Sequence, residues 1–167
     1  MKDEIMRERI INESIRSLQQ EGLRFSVDTL AERLKISKKT IYKHFPTKEA
    51  LACAMYERYY AGLMEEIGDI LRQEDPVRAE KLLDCYFHST AMVRREIFNK
   101  YCLNGSIGGF ALRRHEEVWA AIWPYVCGGM PPGRAAVFRL IVDGAFEKAM
   151  DCGADAAEMI KMLREIK

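Results

Sequence analysis

The chain has 167 residues, a hydrophobic content of 49%, a charged content of 31% and a formal net charge of +1, which excludes an intrinsically disordered protein and allows one good core or two smaller ones. No run of about 18 apolar residues occurs, and the opening MKDEIMRERI has no apolar signal-peptide core, so a cytoplasmic protein with no membrane partner is expected. Five cysteines, odd in number and never in a CxxC pair, argue against a disulfide framework or a four-thiolate zinc site.

The elements all read as helices. Ile11, Ile15 and Leu18 recur at helical spacing, predicting a first helix over about Asp3 to Glu21 with Gly22 as a left-handed cap. Ser26 is a suitable N-cap for a second helix of about two turns, in which Val27, Leu30, Ala31 and Leu34 form one apolar stripe and Asp28 complements the helix dipole. Ser37 caps a third, expected to run through Phe45 until Pro46 stops it. Thr47 caps a long fourth helix with Leu51, Ala54, Met55, Tyr59, Leu63 and Ile67 at helical spacing. Asp75 and Pro76 read as the next start, with proline in the first helical position, leading into a helical stretch over Leu82 to Tyr101, either continuous or broken near Met92 to Arg95. Asn104, Gly105, Gly108 and Gly109 read as a loop, Phe110 to Trp123 as a helix ended by Pro124, and Gly128 to Gly133 as a linker. Two helices remain, about Arg134 to Cys152 and Ala154 to Ile166. The expected fold class is all-α, with no alternating β pattern of useful length.

Charge is uneven. Residues 1 to 51 hold 11 Lys and Arg against 8 Asp and Glu, and the remainder 15 against 17, so an anionic partner is expected at the front of the chain. The stretch SKKTIYKHFPTK concentrates this asymmetry: Lys35, Lys38, Lys39, Lys43 and Lys48 are positive, and no acid lies between Leu34 and Lys48. Two short helices joined by Lys35, Ile36 and Ser37 and preceded by a supporting helix have the size and spacing of a helix-turn-helix. With Ile41 and Phe45 turned inward, Lys39, Tyr42 and Lys43 lie on the opposite face and Lys38 at the exposed first turn. Lysines there neutralise phosphates; Thr40, Tyr42 and His44 can donate to phosphates or base edges; Lys39 or Lys43 can read guanine. The backbone amides near Ser26 and Val27 form a second phosphate site through the dipole of helix two.

Residues 9 to 51 resemble the N-terminal domain of the TetR family of transcriptional regulators. The resemblance rests on Ile10, Ile11 and Gly22, on SVDTLAERL for helix two, and on ISKKTIYKHFPTKEAL for the turn, recognition helix and start of helix four. It departs where Lys35 occupies the usual glycine of the turn, and where Ser14 and Leu18 replace the more usual Ala and Phe. It implies that Lys38, Lys39, Thr40, Tyr42, Lys43 and His44 face DNA, with Ser37 at the same edge and Lys48 holding a phosphate. It further implies a repressor released by a small-molecule effector, with residues 1–47 as the helix-turn-helix DNA-binding domain and 48–167 as a helical effector-binding and dimerisation domain.

A single helix-turn-helix gains affinity by pairing on a palindrome with half-sites about 34 Å apart. The last two helices supply apolar surface for a homodimer: Val137, Leu140, Ile141, Gly144 and Ala145 on one, Met159, Ile160 and Leu163 on the other. RLIVDGAF is similar to the penultimate helix of the family, whose last two helices form a four-helix dimer interface. The middle of the chain holds Phe87, His88, Met92, Phe98, Tyr101, Phe110, Trp119 and Trp123, in the region the family uses for an effector pocket. No cofactor is expected.

The rival readings are an adaptor that has lost DNA affinity and a metal-binding helical-bundle enzyme. The enzyme needs Glu-x-x-His pairs, and none precedes His44, His88 or His115. Cys85 and His88 stand at i, i+3 without a nameable third ligand, and neither a P-loop nor a GxSxG motif occurs.

Overall fold

A computed structural model describes residues 2–21, 26–92, 105–152 and 156–166. Among these residues there are eight α-helices and no strand: α1 (Lys2–Glu21), α2 (Val27–Leu34), α3 (Lys38–His44), α4 (Lys48–Arg72), α5 (Arg78–His88), α6 (Gly105–Val126), α7 (Pro132–Cys152) and α8 (Ala156–Ile166), with a 3-10 turn over Ser89–Met92 after α5. The all-α class expected from the periodicities is what the chain adopts. Two compact units result. Among the described residues, the first comprises α1 to α3, α4 as far as Tyr59 and the start of α6 to Ala111, and the second comprises the rest.

In the first unit α1 packs on α2 and α2 on α3, around Ile10, Ile11, Leu18, Leu30 and Ile41. Ser14, at a position where the family usually has alanine, is fully buried and its hydroxyl donates to the Ile10 carbonyl at 2.7 Å, so the helix itself satisfies the extra polar group. The α2–α3 turn is built on Lys35, whose φ of 56° and ψ of 44° are left-handed. The Lys35 N–H donates to the Glu32 carbonyl at 3.1 Å and the Ile36 N–H to the Ala31 carbonyl at 3.0 Å, which is the Schellman pairing that normally recruits glycine. Lys35 takes this conformation at a cost of about 1–2 kcal/mol.

In the second unit α5 packs on α8, α7 on α8, and the 3-10 turn against α7. Tyr60, Leu82, Phe87, Ile122, Phe138 and Val142 are fully buried. An ion pair between Arg164 and Glu80 (2.5 Å) and a hydrogen bond from Arg134 to the Ile166 carbonyl (2.9 Å) tie α8 to α5 and to α7.

Several boundaries differ from the sequence reading. Helix α3 ends at His44, and Phe45 is extended (φ −133°, ψ 93°) because the residue before a proline is driven out of the helical region. Pro76 lies in a turn rather than in the first helical position. Asp75 accepts the Val77 N–H at 2.9 Å and pairs with Lys81 at 2.5 Å, so the helix begins at Arg78. Gly105, Gly108 and Gly109 are helical, and α6 passes through Pro124 to Val126. Val118, Ile122 and Val126 lie on one fully buried stripe, and that burial outweighs both the glycines and the N–H missing at Pro124. The linker shortens because Pro132 and Gly133 open α7; its turn rests on Gly129, with φ of 82°. Gly22, Asn104 and the continuation of the Leu82 to Tyr101 stretch beyond Met92 lie outside the described residues.

Candidate DNA interface

Helix α3 is positioned from both ends. The Ser37 hydroxyl accepts the Thr40 N–H at 3.1 Å and shares a hydrogen bond of 2.9 Å with the Thr40 hydroxyl, satisfying one of the open amides of a seven-residue helix. At the other end the Phe45 N–H closes on the Ile41 carbonyl at 2.9 Å. Ile41 and Phe45 are buried, at 1% and 3% exposure, and the Arg7 guanidinium stands 5.1 Å from the centre of the Phe45 ring, a cation–π contact. This leaves the opposite face to solvent: Ser37, Lys38, Lys39, Tyr42 and Lys43 are exposed, and Thr40 and His44 are half-buried. Tyr42 keeps 39% of its surface accessible.

The other expected residues fall as follows. Lys48 is exposed at the first turn of α4, after Thr47, whose hydroxyl accepts the Ala50 N–H at 3.1 Å. Ser26 and Val27 are half-buried; the Ser26 hydroxyl accepts the Thr29 N–H at 3.1 Å and shares a 2.8 Å bond with the Thr29 hydroxyl. Arg33 reaches back to α1, donating to the Ser17 hydroxyl at 3.2 Å and pairing with Glu13 at 3.5 Å.

Two acids at this face were not anticipated as its partners. Lys38 forms an ion pair with Asp28 in the first turn of α2, and a hydrogen bond and the carboxylate charge hold its ammonium above the usual lysine pKa. Lys43 pairs with Asp3 in the first turn of α1, at 3.3 Å and 3.4 Å to the two carboxylate oxygens. The signal for both was local, since acids are favoured in first turns by the helix dipole; the crossing of the helices that brings lysines to them was not.

The residues proposed for an effector are divided, with Phe110 in the first unit and Phe87, His88, Met92, Trp119 and Trp123 in the second. Phe87, Met92 and Trp119 are buried, and Phe110 and Trp123 half-buried. His88 points outward, its Nδ1 2.8 Å from the Asp84 carbonyl oxygen, and so does not join the buried rings. Phe98 and Tyr101 lie outside the described residues. The residue missed was His115. It is 6% exposed, stacked on Phe146 at 3.9 Å and 4.5 Å from the Tyr86 ring, with Nδ1 3.2 Å from the Ser89 hydroxyl. Burial, then the Arg139 charge, pull its pKa down to about 3. One turn on, Trp119 lies 4.8 Å from Tyr86, and the Arg139 guanidinium covers it at 4.6 Å while its Nε–H is shared between the two Asp143 carboxylate oxygens at 2.8 Å and 2.9 Å. His115 Nε2 and Trp119 Nε1 are buried with no hydrogen-bond partner among the described residues. Burial, followed by the nearby Glu66, pushes the Cys85 thiol up to about 12. Cys85 is thus a buried thiol beside an outward His88, and no three His, Cys, Asp or Glu side chains gather as a metal site among the described residues.

The surface expected to pair two copies also divides. Val137, Leu140 and Gly144 are exposed, Leu140 at 71%, whereas Ile141, Ala145 and Met159 are half-buried. Ile160 and Leu163 are instead core residues, at 4% and 2% exposure, on the inward side of α8. Met162 and Ile166 are the large apolar residues that α8 leaves outside among those described.

Residues 10–55 match the model of the bacterial regulatory proteins of the tetR family. Over 77 residues the chain is 32% identical to an uncharacterized HTH-type transcriptional regulator, YvaF, of Bacillus subtilis, an alignment covering 46% of this chain and 40% of that one. Over 83 residues it is 29% identical to the HTH-type transcriptional repressor NemR of Escherichia coli, covering 48% and 38%. The matched part of the chain thus spans well under half the length of these relatives. In fold it is similar to a transcriptional regulator (TerR/AcrR family) from Aquifex aeolicus, with a TM-score of 0.63, 18% identity and 95% of each chain covered. It is also similar to the multidrug binding protein EbrR in complex with imidazole, with a TM-score of 0.53, 17% identity and 96% and 89% covered. Residues 10–55 thus carry the chain's likeness to the bacterial regulatory proteins of the tetR family, and the likeness of the remainder is one of fold.

Proposed function

We propose that this protein is a sequence-specific DNA-binding transcriptional regulator, acting in the cytoplasm as a homodimer on a palindromic operator and serving as a repressor released by a small-molecule effector. The observation that carries the reading is α3: Ile41 and Phe45 anchor it, and Lys38, Lys39, Tyr42 and Lys43 stand on its open side. A helix with that division enters a major groove with its cations against phosphates and its hydrogen-bonding groups against base edges. The segment that matches the family model, residues 10–55, includes this helix.

The regulatory half of the reading draws on the second unit. His115 Nε2 and Trp119 Nε1, buried one helical turn apart without partners, are the groups a planar polar effector would satisfy. Helix α4 is continuous from Lys48 to Arg72 and crosses from the first unit to the second at Tyr59 and Tyr60, so an effector favouring one setting of α4 shifts the population of DNA-competent dimers.

Selection of bound duplexes from a random pool, followed by anisotropy titration at two salt concentrations, tests the central reading. A recovered palindrome whose preference over unselected duplex survives added salt is the expected result. No preference for any duplex would exclude a DNA-binding regulator and leave the helical adaptor.

A further inference from the structure

We propose that Asp28 and Asp3 are built-in competitors for DNA: in the free protein they occupy Lys38 and Lys43 as stand-ins for backbone phosphates, and the operator must displace them. The inference rests on the DNA-binding reading of α3 and extends it to residues outside the recognition helix.

The geometry is that of a face neutralised from within. α3 contains no acid of its own, yet two of its three lysines are paired, Lys38 with Asp28 from α2 and Lys43 with Asp3 from α1. Lys39, between them, is exposed. Both acids stand in the first turn of their own helices, where unpaired amides and the dipole favour an anion. Both pairs lie at the surface, with exposures of 57% and 62% for Lys38 and Asp28 and of 67% and 78% for Lys43 and Asp3. Such pairs exchange partners readily. A carboxylate beside each lysine supplies the charge, and an oxygen pair of the kind, that a phosphate would present. Its presence has two consequences. Each lysine must give up or share its carboxylate on binding, which weakens affinity. Each paired lysine also brings less net positive charge to the duplex, so fewer condensed counterions are released and the salt dependence is shallower than the lysine count implies.

The experiment uses the full chain with the duplex recovered from the random pool and an unselected duplex of equal length. Asp28→Asn, Asp3→Asn and the double variant are titrated between about 50 and 200 mM salt, with Glu65→Gln, an exposed acid on α4, as the control for net charge. Each Asn substitution is expected to tighten binding roughly twofold to fivefold at low salt and to steepen the slope of log K against log salt by up to about 0.9. Glu65→Gln should change neither. Circular dichroism establishes that each variant is folded, and Asp28→Asn is repeated in a Lys38→Ala background, where its gain should largely vanish. Unchanged affinity and slope in the Asp variants, with the wild type binding the selected duplex, would overturn the proposal. So would a gain that persists without Lys38, since Asp28 would then be repelling DNA directly. Failure of the wild type to prefer any duplex is a different result, and it strikes the reading of α3 itself.

Discussion

Lys35 is the residue where local strain is clearest. It is the one non-glycine residue with positive φ among those described, and the turn it forms sets the angle between α2 and α3. Lys35→Gly removes the steric cost of the left-handed conformation while making the unfolded chain more flexible. The net expectation is a gain of about 0.5–1 kcal/mol in urea denaturation; a loss would mean the lysine side chain stabilises the turn. His115 is the second residue with a clear consequence. Its pKa in the folded chain, about 3, lies below the ordinary value of about 6.5. The unfolded chain therefore binds a proton that the folded chain does not. Stability is complete above about pH 6.5 and falls as the pH drops below it, by up to about 1.4 kcal/mol per unit. Urea unfolding at pH 7.5 and 5.5 should show a loss of about 1 kcal/mol from this residue, and His115→Leu should remove that part of the loss. An equal loss in the variant would assign the acid sensitivity to other groups.

Among the elements, α3 separates folding from recognition most sharply. Tyr42 is exposed and outside the core, so Tyr42→Ala should abolish operator binding while leaving the circular dichroism spectrum and unfolding midpoint near those of the wild type. Lys43→Glu should do the same to binding, and it also sets a carboxylate against Asp3. Wild-type binding by both variants would show that this is not the face that meets DNA. Ser37→Ala acts through the element instead, removing the cap of a helix with few other stabilising groups, and should cost about 1 kcal/mol of stability. The elements also show where sequence patterns suffice. Ser26, Ser37 and Thr47 were legible as caps because a hydroxyl three residues before an open amide is a local arrangement. The passage of α6 through Pro124 was not legible, because it depends on the buried stripe Val118, Ile122 and Val126, and local preference is weak against such burial.

For the whole molecule, burial separates the apolar side chains left in solvent from the core of one copy, and the homodimer proposed above would use the first. Leu140 is exposed and Leu163 is buried. Leu140→Glu, combined with Val137→Glu, should convert a dimer to a folded monomer by sedimentation or light scattering. Leu163→Ala should instead lower the stability of the chain, by about 2–5 kcal/mol. A dimer that survives the first change would move the interface elsewhere. The apolar spacing of α7 and α8 was readable in the sequence, but it marks a stripe without saying what covers it. Hence Ile160 and Leu163, set out as interface, lie inside, and Met162 and Ile166 lie outside.

What the sequence by itself determined is what depends on near neighbours: the helical class, the caps, the turn at Lys35 to Ser37, and the basic, acid-free face of α3 with Ile41 and Phe45 behind it. These follow from spacings of three and four residues, which the backbone geometry of a helix turns directly into faces. Only the tertiary structure decided which acids answer the lysines, that His115 is buried among Tyr86 and Phe146, and that His88 faces out. Asp3 and Lys43 are forty residues apart, and no periodicity along one chain encodes the crossing of two helices. That crossing is set by how whole side-chain surfaces pack, and the charges and rings it brings together are its consequence.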